Sequence, residues 1–296
     1  MLEARDVVVK YHQKTAVGGV SLLVDTGEFV ALAGPNGSGK SSLIAALVGE
    51  VTPSGGAVFL NSHDIKAISA IRLAHMRAAL EQSPSLSAPF TVRELASLAI
   101  PSSVTPSDTG QLTARALSVV GLSERGDDPV ASLSGGQQRR AHLARALAQL
   151  EAGKMSGGGQ ALILDEPTAG LDFTHQINVL RAARKAADDG AAVLVALHDL
   201  SLAAAFADRI ALMKEGRINA VGPPGDTLTE PRLSDIYETR LSVFHSPGGM
   251  LMVAPALGSQ DIFHSSKGAY DVPRHEPLQN FQREGRRLRN RVAKPR

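Results

Sequence analysis

Cysteine and tryptophan are both missing from this 296-residue chain, and aromatic side chains of any kind make up only 4% of it. Without cysteine there can be no disulfide scaffold, no thiolate zinc site and no cysteine nucleophile. With so few aromatics, a hydrophobic content of 43% must build its core mainly from Ala, Leu, Val and Ile. Long apolar runs are missing too. The longest, Ala191–Leu197, has seven residues, whereas a bilayer-spanning helix needs roughly 20. The opening Met1–Asp6 stretch lacks the apolar centre of a signal peptide. A membrane role is therefore expected to run through a partner.

What charge there is lies unevenly. The net charge is +2, but residues 257–296 hold nine Lys/Arg against four Asp/Glu, which leaves −3 for the rest. The basic character belongs to the end of the chain, and the composition of residues 257–296 suits a disordered tail. No nucleic-acid partner is expected for the folded body.

Along the chain, Val7–Val9 and Val20–Val24 read as antiparallel strands around a turn-like Gln13–Gly19 stretch. Phe29–Ala33 is a continuous apolar run of the buried parallel-strand kind. Ser41–Val48 reads as a helix, Pro53–Gly56 as a turn and Ala57–Leu60 as a strand. From about Ile71 to Leu150 the pattern is helical and broken by prolines, as in an inserted helical subdomain. Glu151–Gln160 is Gly-rich and reads as a flexible insertion. Strand Ala161–Leu164, helix Thr174–Asp188 and strand Ala192–Leu197 then alternate as in an α/β protein. Beyond about Pro247 the periodicity fades.

Gly34-Pro35-Asn36-Gly37-Ser38-Gly39-Lys40-Ser41-Ser42 fits G-x-x-x-x-G-K-[ST] between a predicted strand and a predicted helix, the context that phosphate-binding loop requires. Its glycines let backbone N–H groups approach phosphate oxygens, and the helix N-terminus adds free donors and partial positive charge. Lys40 is expected on the β- and γ-phosphates, Ser41 on Mg²⁺ and Ser42 on the α-phosphate. Ala161–Leu164 ends in Asp165-Glu166. Two acids where a buried strand emerges suit one carboxylate for the Mg²⁺ shell, Asp165, and one to polarise an attacking water, Glu166.

A second Gly-rich turn, Ser134-Gly135-Gly136-Gln137 after Leu133, opens another helix and offers a second anion cradle. Leu-Ser-Gly-Gly-Gln is the signature of ATP-binding cassette (ABC) ATPases, and the chain resembles that family over about residues 2–240. The resemblance implies an α/β fold: a P-loop (RecA-like) core with an N-terminal antiparallel β subdomain and an inserted helical subdomain at about 71–150. Residues 241–256 would end the cassette. It implies that Tyr11 stacks on adenine, that Gln82 contacts Mg²⁺ or the attacking water, and that His198 contacts the γ-phosphate. It further implies a homodimer in which Ser134, Gly135, Gly136, Gln137 and Asp172 of one chain complete the ATP site of the other.

The segments Ala79–Leu86, Pro89–Glu94 and His198–Ala203 look most like the importer ATPases for haem, iron chelates and vitamin B12, and the Gly-rich Glu151–Gln160 insertion with Asp172–Gln176 looks most like the haem importers. That likeness implies a peripheral subunit at the cytoplasmic face of a bacterial inner membrane. It would drive a transmembrane permease dimer, touched at Gln82–Glu94, and indirectly a periplasmic solute-binding protein. Soluble ABC ATPases acting on nucleic acid are the competing class. Those that carry two cassettes per chain do not match the single Lys40 loop, and only about 90 residues separate Lys40 from Leu133, too few for a long coiled-coil insertion.

Overall fold

The computed structural model describes residues 1–81, 88–155 and 157–256. Gln82 and the basic 257–296 segment lie outside them.

The chain opens with strands β1 (Leu2–Tyr11) and β2 (Lys14–Val24), then β3 (Phe29–Ala33), helix α1 (Lys40–Val48), β4 (Gly55–Leu60) and the short β5 (His63–Asp64). Helix α2 (Ala70–Met76) leads into β6 (Arg77–Leu80), followed by α3 (Val92–Ser97), α4 (Pro106–Val119) and α5 (Gly135–Met155). Next come β7 (Ala161–Asp165), α6 (Phe173–Asp188), β8 (Ala192–Ala196), α7 (Leu200–Phe206) and the hairpin β9 (Arg209–Lys214) and β10 (Arg217–Gly222). Helices α8 (Pro224–Thr227) and α9 (Glu230–Tyr237) precede a last hairpin, β11 (Leu241–His245) and β12 (Leu251–Pro255).

Two main sheets result. The antiparallel one runs β2-β1-β4-β5, and the other runs β10-β9-β3-β8-β7-β6 with four of its five pairings parallel and the edge pair β9–β10 antiparallel. Strands β3, β7 and β8 are buried along their whole length, so they carry no alternation of polar and apolar residues. Their alternation is instead between two cores. Phe29, Ala31 and Ala33 face the helices, while Val30 and Leu32 face α1 and the antiparallel sheet. Register then aligns the strand ends: Leu32 and Asp165 both lie opposite Ala196, and Leu80 lies opposite Leu164. Gly34, Glu166 and His198 therefore emerge at one edge, where ligands of open α/β sheets bind.

Four local expectations change. The turn between β1 and β2 is short, because β2 already starts at Lys14 and pairs with Tyr11. Arg77–Leu80, inside the span read as helical, is the edge strand β6, pinned beside β7. Four residues carry too little periodicity to announce a strand. The described residues of Glu151–Gln160 are tied down, not loose. Helix α5 continues through Met155, and Gly159 and Gln160 donate to the carbonyls of His75 and Met76 at 2.7 and 2.8 Å. A Cβ on Gly153 or Gly158 would overlap the His75 carbonyl oxygen, so these glycines permit close packing. Finally, Leu251–Pro255, where the periodicity fades, forms the strand β12.

Candidate functional site

The phosphate loop is shaped by what presses on it. Gly34 (φ 148°) and Gly39 (φ 101°) each lie where a Cβ would overlap a carbonyl oxygen, that of Met213 and of Ala16 respectively. Gly39 also occupies the N-cap of α1, which has no side-chain cap and no acid in its first turn. The free N–H groups of that helix end are thus left for an anion. Lys40 is only 5% exposed and folds back, donating to the carbonyls of Gly34 and Pro35 at 2.8 and 3.0 Å. Burial pushes its ammonium below the ordinary lysine range, and Glu166 and Asp165 oppose that shift.

A cleft of about 820 Å³ opens above the loop, lined by Asn36, Gly37, Gly39, Lys40, Ser41 and Ser42 and by Tyr11. The Tyr11 ring is 45% exposed, at the end of β1, free to take a planar ring on its face. Lys14, Thr15, Ala16, Glu215 and Gly216 complete the wall, and none of these five was picked out from the sequence. Glu215 and Gly216 (φ 50° and 75°) form the two-residue turn between β9 and β10, with Gly216 N–H donating to the Ser38 carbonyl at 2.8 Å. A two-residue Glu-Gly turn between apolar strands is a readable hairpin signal, but nothing local says that the turn abuts a loop far earlier in the chain.

Asp165, at the end of β7, is 2% exposed. Burial raises its pKa, the Ser41 hydroxyl lowers it, and the Glu166 charge raises it further. Its Oδ1 is buried without a hydrogen-bond partner. An orphaned carboxylate oxygen beside a serine hydroxyl suits a hard divalent cation. Among the described residues no three His, Asp or Glu side chains are grouped to hold a metal unaided, so Mg²⁺ here would take further ligands from phosphate and water. Arg139 Nη2 donates to the Asp165 carbonyl at 2.9 Å, fixing the strand end against α5.

Glu166 adopts a left-handed backbone (φ 49°), and its Oε1 lies 2.6 Å from His198 Nε2. Both side chains line the cleft. A non-glycine residue at positive φ costs of order 1–3 kcal/mol and persists only where the surroundings enforce it.

The second Gly-rich turn is built differently. Ser134 N–H donates to Gln137 Oε1 at 2.9 Å, and Gln137 N–H donates to Ser134 Oγ at 3.4 Å. That reciprocal pair is a capping box, so the Gln137 side chain holds the turn of its own helix. A Cβ on Gly135 would meet nothing within 4 Å. None of Ser134–Gln137 lines the cleft above Lys40. Asp172 caps α6, accepting from His175 N–H at 2.9 Å and contacting His175 Nδ1 at 2.7 Å. The His175 backbone N–H, then its ring, hold the Asp172 carboxyl below the usual range.

Two further groups went unread in the sequence. His142 on α5 is 3% exposed, its Nδ1 has no partner, and burial, then Arg145, push its pKa down to about 4. Tyr237, at the end of α9, has a buried hydroxyl facing the Gly34 backbone, and burial pushes it up to about 12.

The family profile described as ABC transporter matches residues 17–169. The hemin import ATP-binding protein HmuV of Bradyrhizobium diazoefficiens is 40% identical over 255 residues, covering 86% of this chain and 94% of that protein. Its counterpart from Rhizobium meliloti is 39% identical over 248 residues, covering 83% and 95%. Among solved structures, an ATP-binding subunit of an ABC transporter superposes with TM-score 0.68 at 24% identity, covering 81% of this chain and 95% of that one. A dimeric cassette, MJ0796, bound to ADP and Pi superposes with TM-score 0.66 at 24% identity, covering 76% and 99%.

Proposed function

The chain belongs to the ABC transporter family and is an ATP-binding protein and ATPase of it, and we propose that it powers haem import through a permease. The observation that carries the catalytic part is the meeting of Lys40, Glu166 and His198 in one cleft, with Glu166 held at 2.6 Å from His198. The cargo rests on likeness to hemin import proteins at about 40% identity across most of both chains.

In this reading the adenine stacks on Tyr11, and the phosphates sit on free backbone N–H groups of the loop from Gly34 to Ser42. Lys40 leaves the Gly34 and Pro35 carbonyls to meet the β- and γ-phosphates, an exchange made easier because its present partners are neutral. Mg²⁺, held by Ser41 and Asp165, would neutralise charge on the phosphate oxygens; Gln82, the third expected ligand, lies outside the described residues. Glu166 takes a proton from the attacking water, and His198 steadies the γ-phosphate. Their 2.6 Å contact means that His198 must release Glu166 as the γ-phosphate arrives. Ser134, Gly135, Gly136 and Gln137 serve a second copy of the chain, since they lie off their own cleft, and Asp172 lies at the same junction.

We assign residues 2–240 to the cassette, with its helical subdomain at about 71–150, residues 241–256 to its end and 257–296 to a basic tail. Among the described residues no helix is long and apolar enough to cross a membrane. A peripheral position on the cytoplasmic face of the inner membrane, bound to a permease dimer through residues 82–94, fits that. A periplasmic binding protein would deliver solute to the other face.

The decisive experiment reconstitutes the chain with its co-purified permease in vesicles and measures ATP hydrolysis and uptake with hemin, a ferric siderophore and vitamin B12. Hemin-dependent stimulation is expected. Stimulation by another solute alone would overturn the cargo, and loss of stimulation with every solute would overturn the importer reading.

A further inference from the structure

The last hairpin lies wholly outside residues 17–169, the span of the family match, yet its hydrogen bonds reach two helices that abut the ATP site, α7 and α9. Val243 and Val253 face each other across β11 and β12. Their N–H groups point outward, away from the ladder between the two strands, as in a non-hydrogen-bonded antiparallel pair. Val253 N–H donates to Ser201 Oγ on α7 at 3.0 Å, and Val243 N–H donates to Glu230 Oε1 on α9 at 2.8 Å. Leu241 N–H adds a second bond to α9, at Ser234 Oγ, 3.2 Å away. The inner face, with Leu241, Val243, Leu251 and Val253, packs on the main hydrophobic core. The hairpin is thus a bridge from α7 to α9.

Each helix has one end against a wall of the ATP site, α7 beside His198 and α9 behind the phosphate loop. Helix α7 starts beside His198, and its N-cap Asp199 accepts from Ser201 N–H and Leu202 N–H at 2.8 and 2.9 Å through one oxygen. Ser201 therefore joins the His198 turn by its N–H and the hairpin by its hydroxyl. Helix α9 ends at Tyr237, whose hydroxyl faces Gly34. Lys214 donates to the Asp235 carbonyl at 2.7 Å, which ties α9 to the β9–β10 turn whose Gly216 N–H holds the Ser38 carbonyl at 2.8 Å. His198 and the phosphate loop come from distant parts of the chain, and the hairpin fixes the helices behind both.

We propose that the β11–β12 hairpin is a strut that sets His198 against the phosphate loop, with Ser201 as the positioning residue through which it acts. The inference rests on the reading of His198 as the γ-phosphate contact. Its effect should fall on the hydrolytic step and not on nucleotide capture. A small misplacement of a catalytic group slows the reaction while leaving ground-state binding nearly unchanged.

The test compares S201A, which removes the acceptor, with V253P, which removes the donor and leaves the β11–β12 ladder intact. Each should lower kcat about 2- to 10-fold, the size expected for one hydrogen bond. ATP affinity, read by titration with a fluorescent ATP analogue, should stay the same. The double variant should be no slower than either single one, and S201T, which keeps the hydroxyl, should restore the rate. Assays run well below each variant's melting temperature, so that lost stability does not pass for lost positioning. A wild-type kcat in S201A, losses that multiply in the double variant, or a failure of S201T to rescue would overturn the strut. H198A separates the two readings: a wild-type rate there removes the premise, whereas a slow H198A with a fast S201A removes only the strut.

Discussion

The two Gly-rich turns of this protein look alike in sequence and are opposites in structure. At Gly34 and Gly39 a Cβ would overlap carbonyl oxygens of Met213 and Ala16, so neighbouring backbone moulds the loop from behind. At Gly135 the same added atom would meet nothing. The first turn is completed by its own chain, with Lys40 buried and bonded to Gly34 and Pro35. The second is held by its own capping box and by Gln138 Nε2 on the Leu133 carbonyl, and it stands away from the cleft. A glycine can be required for packing or for leaving a surface bare, and only its surroundings tell which.

The sharpest way to break this comparison is to disable the chemistry on the first side while keeping the cradle on the second. Glu166→Gln should slow ATP hydrolysis about 10²- to 10⁴-fold, the usual effect of losing a general base. ATP binding should survive, and the variant should accumulate as an ATP-bound dimer in light scattering. A monomer at saturating ATP would mean that the Ser134–Gln137 turn serves no second copy.

The signature helix should also reveal itself through acid. His142 has a folded pKa of about 4, below its unfolded value of 6.5. Its stabilising contribution is therefore complete above pH 6.5 and is lost as pH falls through that value toward 4. The total is roughly 3 kcal/mol. In urea titrations across this window, His142→Leu should flatten the stability profile; an unchanged slope would show that the imidazole titrates normally.

Glycine replacement then tests the opposition directly. Gly39→Ala places a side chain at φ 101° against the Ala16 carbonyl, which should cost at least about 1–3 kcal/mol and weaken ATP binding. Gly135→Ala should leave the melting temperature level, because Gly135 lies at the first position of α5 and an added Cβ there meets nothing. It should nevertheless impair ATP-driven dimerisation. Equal destabilisation by the two would erase the distinction. The smallest effect is expected at Asp172, where Asp172→Ala removes the α6 cap and about 1 kcal/mol of stability, measurable as a lowered melting temperature that Asp172→Asn restores.

Much of the site could be read from order and spacing. Gly34–Ser42 declares itself because a phosphate loop needs contiguous residues, and Asp165-Glu166 because a buried strand rarely ends in two acids without a purpose. The structure brings Glu166 and His198 to 2.6 Å, although about 32 residues separate them, because register aligns β7 with β8. Other parts left no local trace. Arg77–Leu80 becomes a strand only by lying beside β7. The glycines of 151–160 read as flexible because composition does not reveal the His75 carbonyl that excludes a Cβ there.

The sequence by itself determined the chemistry on offer: which backbone could wrap phosphate, which carboxylates could serve a cation and a water, and that a second Gly-rich turn opens a helix. Those properties belong to short contiguous segments and to the intrinsic reach of their side chains. Tertiary structure alone decided the outer walls and the supports. It set Glu215 at the cleft, Tyr237 behind Gly34, and the β11–β12 hairpin between α7 and α9. Each depends on contacts between residues far apart in the chain, which close-packing of the folded core specifies and local periodicity does not.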